Sequence, residues 1–155
     1  MIIQRWQSLL LLLACAVMAC FTFLSLGQVT TQDYTFNFTS WGFYSEGDPT
    51  SGSQEIVINT WYFFMVSLTT VVLLFIDIFL YKNLNLQKRV CLVSLICIVA
   101  TGSVAGCLGY SCIQDGYMGW STVALCPFIA IVAVILAYNM MCRDQRLLRA
   151  ADRLR

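Results

Sequence analysis

Apolar side chains run almost without interruption through four stretches of the chain: Leu9 to Gly27, Ile56 to Tyr81, Val90 to Gly109 and Ser121 to Cys142. Crossing the hydrocarbon core of a bilayer takes about 20 predominantly apolar residues at about 1.5 Å of rise each, and every stretch meets that length. Inside them a single side chain is formally charged, Asp77. Backbone amides in lipid must find partners within their own segment, so such runs predict helices and not open sheet. The expected fold is all-α and membrane-integral, with residues 1–155 forming one antiparallel four-transmembrane-helix bundle. An outer loop at 28–55 and a polar tail at 143–155 complete it.

The outer loop breaks the pattern. Tyr34-Thr35-Phe36-Asn37-Phe38-Thr39 alternates aromatic and polar residues, the period of a half-buried strand. Glu46 to Ser53 gathers Gly, Asp, Pro and Ser into a segment that must turn, and Gln54 to Ile58 is again extended-friendly. A small outer β-hairpin capping the bundle follows. Tyr34, Phe36, Phe38, Trp41, Phe43 and Tyr44 crowd this loop; they read as an aromatic belt at headgroup level or as a docking surface for a partner or lipid. Asn37-Phe38-Thr39 is a formal glycosylation sequon, of consequence only in a secretory pathway that glycosylates.

Met1 to Gln28 also resembles a secretory signal, with a basic start, an apolar core and the small-residue triplet Ser25-Leu26-Gly27, while Val17-Met18-Ala19-Cys20 mimics a lipoprotein processing box. The apolar run continues past Cys20 through Phe21, Phe23, Leu24 and Leu26, which favours a retained anchor.

Composition agrees with the pattern. Hydrophobic residues make up 59% and charged ones 11% of the 155 residues, against about 45–50% and about 25% in soluble domains. A water-soluble globular domain and a disordered chain are both excluded on that ground. Charge adds orientation: the nine Lys and Arg residues are Arg5 before the first span, Lys82, Lys88 and Arg89 between the second and third, and Arg143, Arg146, Arg149, Arg153 and Arg155 after the fourth. Short basic loops stay cytoplasmic, so both termini and the 82–89 loop are expected there. Asp33, Glu46, Asp48, Glu55 and Asp115 fall on the other side, and the net charge of +1 is a cancellation between a basic and an acidic face. The basic face is expected to meet anionic headgroups, which attract each basic residue near the surface by about 1 kcal/mol. A cytoplasmic or membrane protein partner is the sharper alternative, and nucleic acid is not expected. In the tail, Leu147, Leu148, Ala151 and Leu154 form one side of an amphipathic helix continuous with span four.

Candidate chemistry is sparse. Eight cysteines lie at 15, 20, 91, 97, 107, 112, 126 and 142 with no C-x-x-C, and histidine is absent, so neither a metal site nor a cofactor is expected. A quinone-linked thiol oxidoreductase needs a relay of exposed cysteine pairs, and only Cys107 and Cys112 come near to forming one. With no phosphate loop or nucleophile motif either, no catalytic residue is assigned and the protein is not expected to be an enzyme. Asp77 is an intramembrane acid, a functional hint by default. It lies about 6 Å of helix from the span's cytoplasmic end, where Lys82, Lys88 or Arg89 offers a structural ion pair. Gly102, Gly106 and Gly109 on span three, facing Ala130, Ala133 and Ala137 on span four, read as a helix-packing seam, with a homodimer interface as the alternative. Pro127 is placed to kink span four.

Three stretches together resemble a known family: MIIQRWQSLLLLLA at Met1–Ala14, LYKNLNLQKRVCLVSL at Leu80–Leu95 and AYNMMCRDQRLLRAADRLR at Ala137–Arg155. They resemble the four-span Bacteroidetes family catalogued as domain of unknown function 4293, through Gln4-Arg5-x-Gln7-Ser8, Lys82-Asn83 with Gln87-Lys88, and the ending from Arg143-Asp144 through Leu148-Arg149 to Asp152-Arg153-Leu154-Arg155. The family pattern has Asp-Glu where this chain has Asp144-Gln145. The resemblance implies an inner-membrane protein of a Gram-negative cell and no particular activity, and its motifs place a site on the cytoplasmic face. The expected role is an accessory or assembly subunit docking a partner there. The alternative is a small transporter or lipid-handling protein with a path near Asp77, Thr69, Thr70 and Thr101.

Overall fold

A computed structural model describes residues 2–30, 35–45, 56–80, 83–112 and 117–153. Four helices carry it: α1 at Ile2–Phe23, α2 at Trp61–Phe79, α3 at Leu84–Cys112 and α4 at Cys126–Arg153. On α1 the buried positions Gln7, Leu11, Ala14, Met18 and Phe21 recur every three or four residues, while Leu9, Leu12, Leu13 and Phe23 point outward. The other helices repeat this division, and in each candidate span about a third of the apolar stretch is buried inside the bundle. Helices apolar on every side need a core on one face and hydrocarbon on the rest. All four are long and apolar enough to cross a membrane, consistent with a membrane protein.

Each helix packs on two neighbours, α1 on α2 and α4, and α3 on α2 and α4. The result is a closed, up-and-down ring. Polar side chains stitch it internally: Thr22 to Ser67 joins α1 to α2, and Thr70 to Thr101, at 3.1 Å, joins α2 to α3. Hydroxyls buried in this way satisfy one another, where an orphaned hydroxyl would cost free energy.

At one end the connections fold into an antiparallel sheet of five short strands: β1 at Gly27–Thr30, β2 at Thr35–Phe38, β3 at Gly42–Ser45, β4 at Ile56–Asn59 and β5 at Tyr117–Trp120. Their spatial order is β4-β3-β2-β1-β5. The expected hairpin is thus too small. The alternating stretch does form β2, but β1 continues from the first apolar run and β5 comes from the third loop, pairing Gly27 with Trp120. Gly27 allows that approach, since a Cβ there would lie 2.7 Å from the Gly119 carbonyl oxygen. Two boundaries shift as a result. The first helix stops at Phe23 and not Gly27, and the second starts at Trp61 because Ile56–Asn59 pairs with β3.

The aromatics expected to form a belt or docking patch divide. Phe38 and Phe43 are buried and stacked with ring centres 4.5 Å apart, and Phe63 and Phe21 continue the cluster down into the bundle. Trp41 is half-exposed and stacks on Phe64. Tyr34, the turn at Glu46–Ser53 and the five outer acids lie outside the described residues. Beneath the sheet, Ser40 donates to the Thr22 carbonyl oxygen at 2.7 Å, and Thr60 donates through its hydroxyl to the Ser40 carbonyl. The first bond satisfies a carbonyl that the last turn of α1 would leave without a partner.

Candidate functional site

The opposite end of the bundle collects the start of α1, the start of α3 and the last turns of α4, and with them seven basic positions among the described residues: Arg5, Lys88, Arg89, Arg143, Arg146, Arg149 and Arg153. Arg89, Arg143 and Arg146 are exposed. Lys88 is not free for a partner. Half-buried, it donates from Nζ to Gln145 Oε1 at 2.5 Å, and Gln145 in turn donates to Asn85 Oδ1, so α4 is tied to the first turn of α3. Arg5, Arg149 and Arg153 lie on described helices but their side chains are outside the described set, and Lys82 and Arg155 fall outside it altogether.

Two further bonds lock this end. Gln7 of α1, almost wholly buried, donates from Nε2 to Asp144 Oδ2 of α4. Gln87 of α3, equally buried, donates to the main-chain carbonyl of Asp77 at 3.4 Å. All four helices are therefore joined by amide side chains. Of the motif residues at this end, Gln7, Gln87, Lys88 and Asp144 turn inward, while Arg89, Arg143 and Arg146 are exposed. Charge counting passed over the amides, although Gln7 stood on the same helical face as Leu11, Ala14 and Met18, a spacing that marks an inward residue.

α4 runs unbroken from Cys126 to Arg153, so the tail continues the fourth helix. Pro127 produces no kink. It sits in the first turn, where the missing amide hydrogen has no helical partner to lose, and a 3-10 turn at Thr122–Leu125 leads into it.

Asp77 is fully buried, and neither of its carboxylate oxygens has a hydrogen-bond partner among the described residues. The expected ion pair is not made with Lys88, which is bound to Gln145, or with the exposed Arg89; Lys82 is outside the described residues. Of the path residues, Thr70 and Thr101 are bonded to each other, and Thr69 is exposed on the outside of α2 with its hydroxyl on the Met65 carbonyl.

The residues expected to form a glycine and alanine seam divide. Gly102 and Gly106 line an apolar groove of about 720 Å³ between α3 and the start of α4, bounded by Phe21, Ile98, Trp120 and Pro127. A Cβ on Gly106 would meet nothing within 4 Å, and one on Gly102 would only touch Pro127 at 3.5 Å. Gly109 is close-packed, but against the sheet: a Cβ there would lie 2.6 Å from the Trp120 ring. Ala130, Ala133 and Ala137 are buried in the bundle, where Ala137 packs with Leu11 of α1. Cys107 is a free thiol, and Cys112 follows it by five residues on the same helix, about 140° around the axis at 3.6 residues per turn. Among the described residues no group of three or more Cys, Asp or Glu side chains is placed to hold a metal.

A family model described as Domain of unknown function (DUF4293) matches residues 3–154. The chain belongs to this family. The match takes in the whole described fold, from α1 and the sheet to the extension of α4. A search of the curated proteins finds no match to the chain.

Proposed function

We propose that this DUF4293 member is a non-enzymatic, multi-pass protein of the inner membrane, an accessory or assembly subunit that docks a protein partner through its basic end. Both termini lie in the cytoplasm in this reading. The observation that carries it is the separation of roles at that end. The amides of Gln7, Gln87 and Gln145 hold the helices together, and Arg89, Arg143 and Arg146 remain exposed, with no internal bond among the described residues. A continuous helix presenting guanidinium groups suits an acidic protein surface, because Arg binds carboxylates through two parallel hydrogen bonds.

Affinity purification in mild detergent tests the reading, comparing the wild-type protein with an Arg89→Glu/Arg143→Glu/Arg146→Glu variant of equal abundance. A co-purifying protein lost in the variant is expected. Recovery of the same protein with both forms, or a monomer with nothing bound in either, overturns it. Transport between the helices is the weaker reading, since two of its three hydroxyl residues are bonded to each other and the third faces outward.

A further inference from the structure

Among the described residues three buried side-chain atoms lack a hydrogen-bond partner: the two carboxylate oxygens of Asp77 and the hydroxyl oxygen of Ser94. Asp77 is on α2 and Ser94 on α3, two helices that pack on each other. α2 and α3 run antiparallel, and the bond between Thr70 and Thr101 sets their register. Seven residues from Thr70 toward the basic end is Asp77, and seven residues from Thr101 in the same spatial direction is Ser94. Seven residues is close to two helical turns, so the second pair occupies the same faces as the first. Burial agrees, since Thr70, Asp77, Ser94 and Thr101 are all fully buried. The Thr pair is bonded across the interface, and the Asp–Ser pair is not.

Among the described residues the surroundings supply no cation. From α3, the Cys91 thiol lies against both the Asp77 carboxyl and the Val134 carbonyl, the latter at 3.9 Å, while Lys88 is held by Gln145. α4 brings Cys142 and Tyr138 near Cys91, and Asp144 bonded to Gln7. From α1 the described titratable group facing α2 is Cys15, whose thiol points at the Val71 carbonyl. An ionised carboxylate enclosed without a cation is the most costly arrangement a buried acid can take. A neutral carboxylic acid, by contrast, has an O–H to donate and a carbonyl oxygen to accept, matching a hydroxyl that can do both.

We propose that Asp77 and Ser94 form a proton-binding site inside the bundle, occupied in the folded protein, with the Asp77 carboxylic acid donating its O–H to the Ser94 hydroxyl. The proton comes from water and returns to water, and the carboxyl O–H is the one covalent bond made or broken. Its release leaves a carboxylate with no partner and favours separation of α2 from α3 at the basic end, where water can reach it. Proton occupancy and helix packing are then coupled. The site is independent of docking at the exposed arginines.

Infrared spectroscopy of the full-length protein in detergent at neutral pH, with and without sodium, tests the proposal. The wild-type protein is expected to show the carbonyl stretch of a protonated carboxylic acid in both buffers. That band is lost in Asp77→Asn and moves to higher frequency in Ser94→Ala, which keeps the acid and serves alone if the first variant does not fold. Absence of the band in the wild-type protein overturns the proposal. So does a band seen only when sodium is withheld, which would mark an alkali-cation site, or a band unmoved in Ser94→Ala.

Discussion

The two ends of the bundle close the same helices by different means. At the sheet end, paired strands satisfy the backbone and a stack of Phe38, Phe43 and Phe63 fills the space beneath them. At the basic end the helices are tied by side-chain amides, Gln7 to Asp144 and Gln145 to Lys88 and Asn85, with no sheet among the described residues. Aromatic packing resists change because every atom beneath the sheet has neighbours. Amide ties depend on a few bonds, and they leave the outward faces of the same helices to charged groups. The difference places the denser packing at one end, and the proposed docking role rests on the other.

Variants at the two ends should separate these roles. Phe38→Ala, under the sheet, is expected to cost about 3–5 kcal/mol, the usual range for truncating a buried aromatic. Thermal unfolding in detergent checks it, and a loss no larger than that of a surface substitution would break the comparison. Gly109→Ala, forced against the Trp120 ring, should cost about 1–3 kcal/mol by overpacking, while Gly106→Ala in the open groove should be close to neutral. Equal costs at the two glycines would restore the helix seam that their spacing suggests. At the basic end Asp144→Ala strands the buried Gln7 amide, an expected loss of about 1–3 kcal/mol. A smaller effect at this end belongs to Gln145→Glu, which turns the bond with Lys88 into an ion pair and should change stability by no more than about 1 kcal/mol in a partly exposed setting.

The four helices were legible because an apolar run of span length leaves the backbone one solution in lipid. β2 was legible by its alternation. β1 and β5 were not: each has four residues, and their pairing joins Gly27 to Trp120, a contact no local pattern encodes. Ile56–Asn59 was apolar enough to pass for the start of a helix. A glycine spacing of four is shared by tight seams and by grooves, so Gly102 and Gly106 could be placed only once their neighbours were known. At the basic end the charges were legible and the division of labour was not. Lys88 resembles its neighbour Arg89 in every local respect, and only the position of Gln145 across the helix pair turns one inward and leaves the other exposed.

The account depends most on which side of the membrane each end occupies, because a docking face made of Arg89, Arg143 and Arg146 requires the cytoplasm. Single cysteines placed at Asn59 and at Arg143 in a cysteine-free background, both exposed positions, can be labelled in spheroplasts with a membrane-impermeant maleimide. The account predicts labelling of Asn59→Cys in intact spheroplasts and of Arg143→Cys only after permeabilisation. Labelling of Arg143→Cys from outside would contradict it.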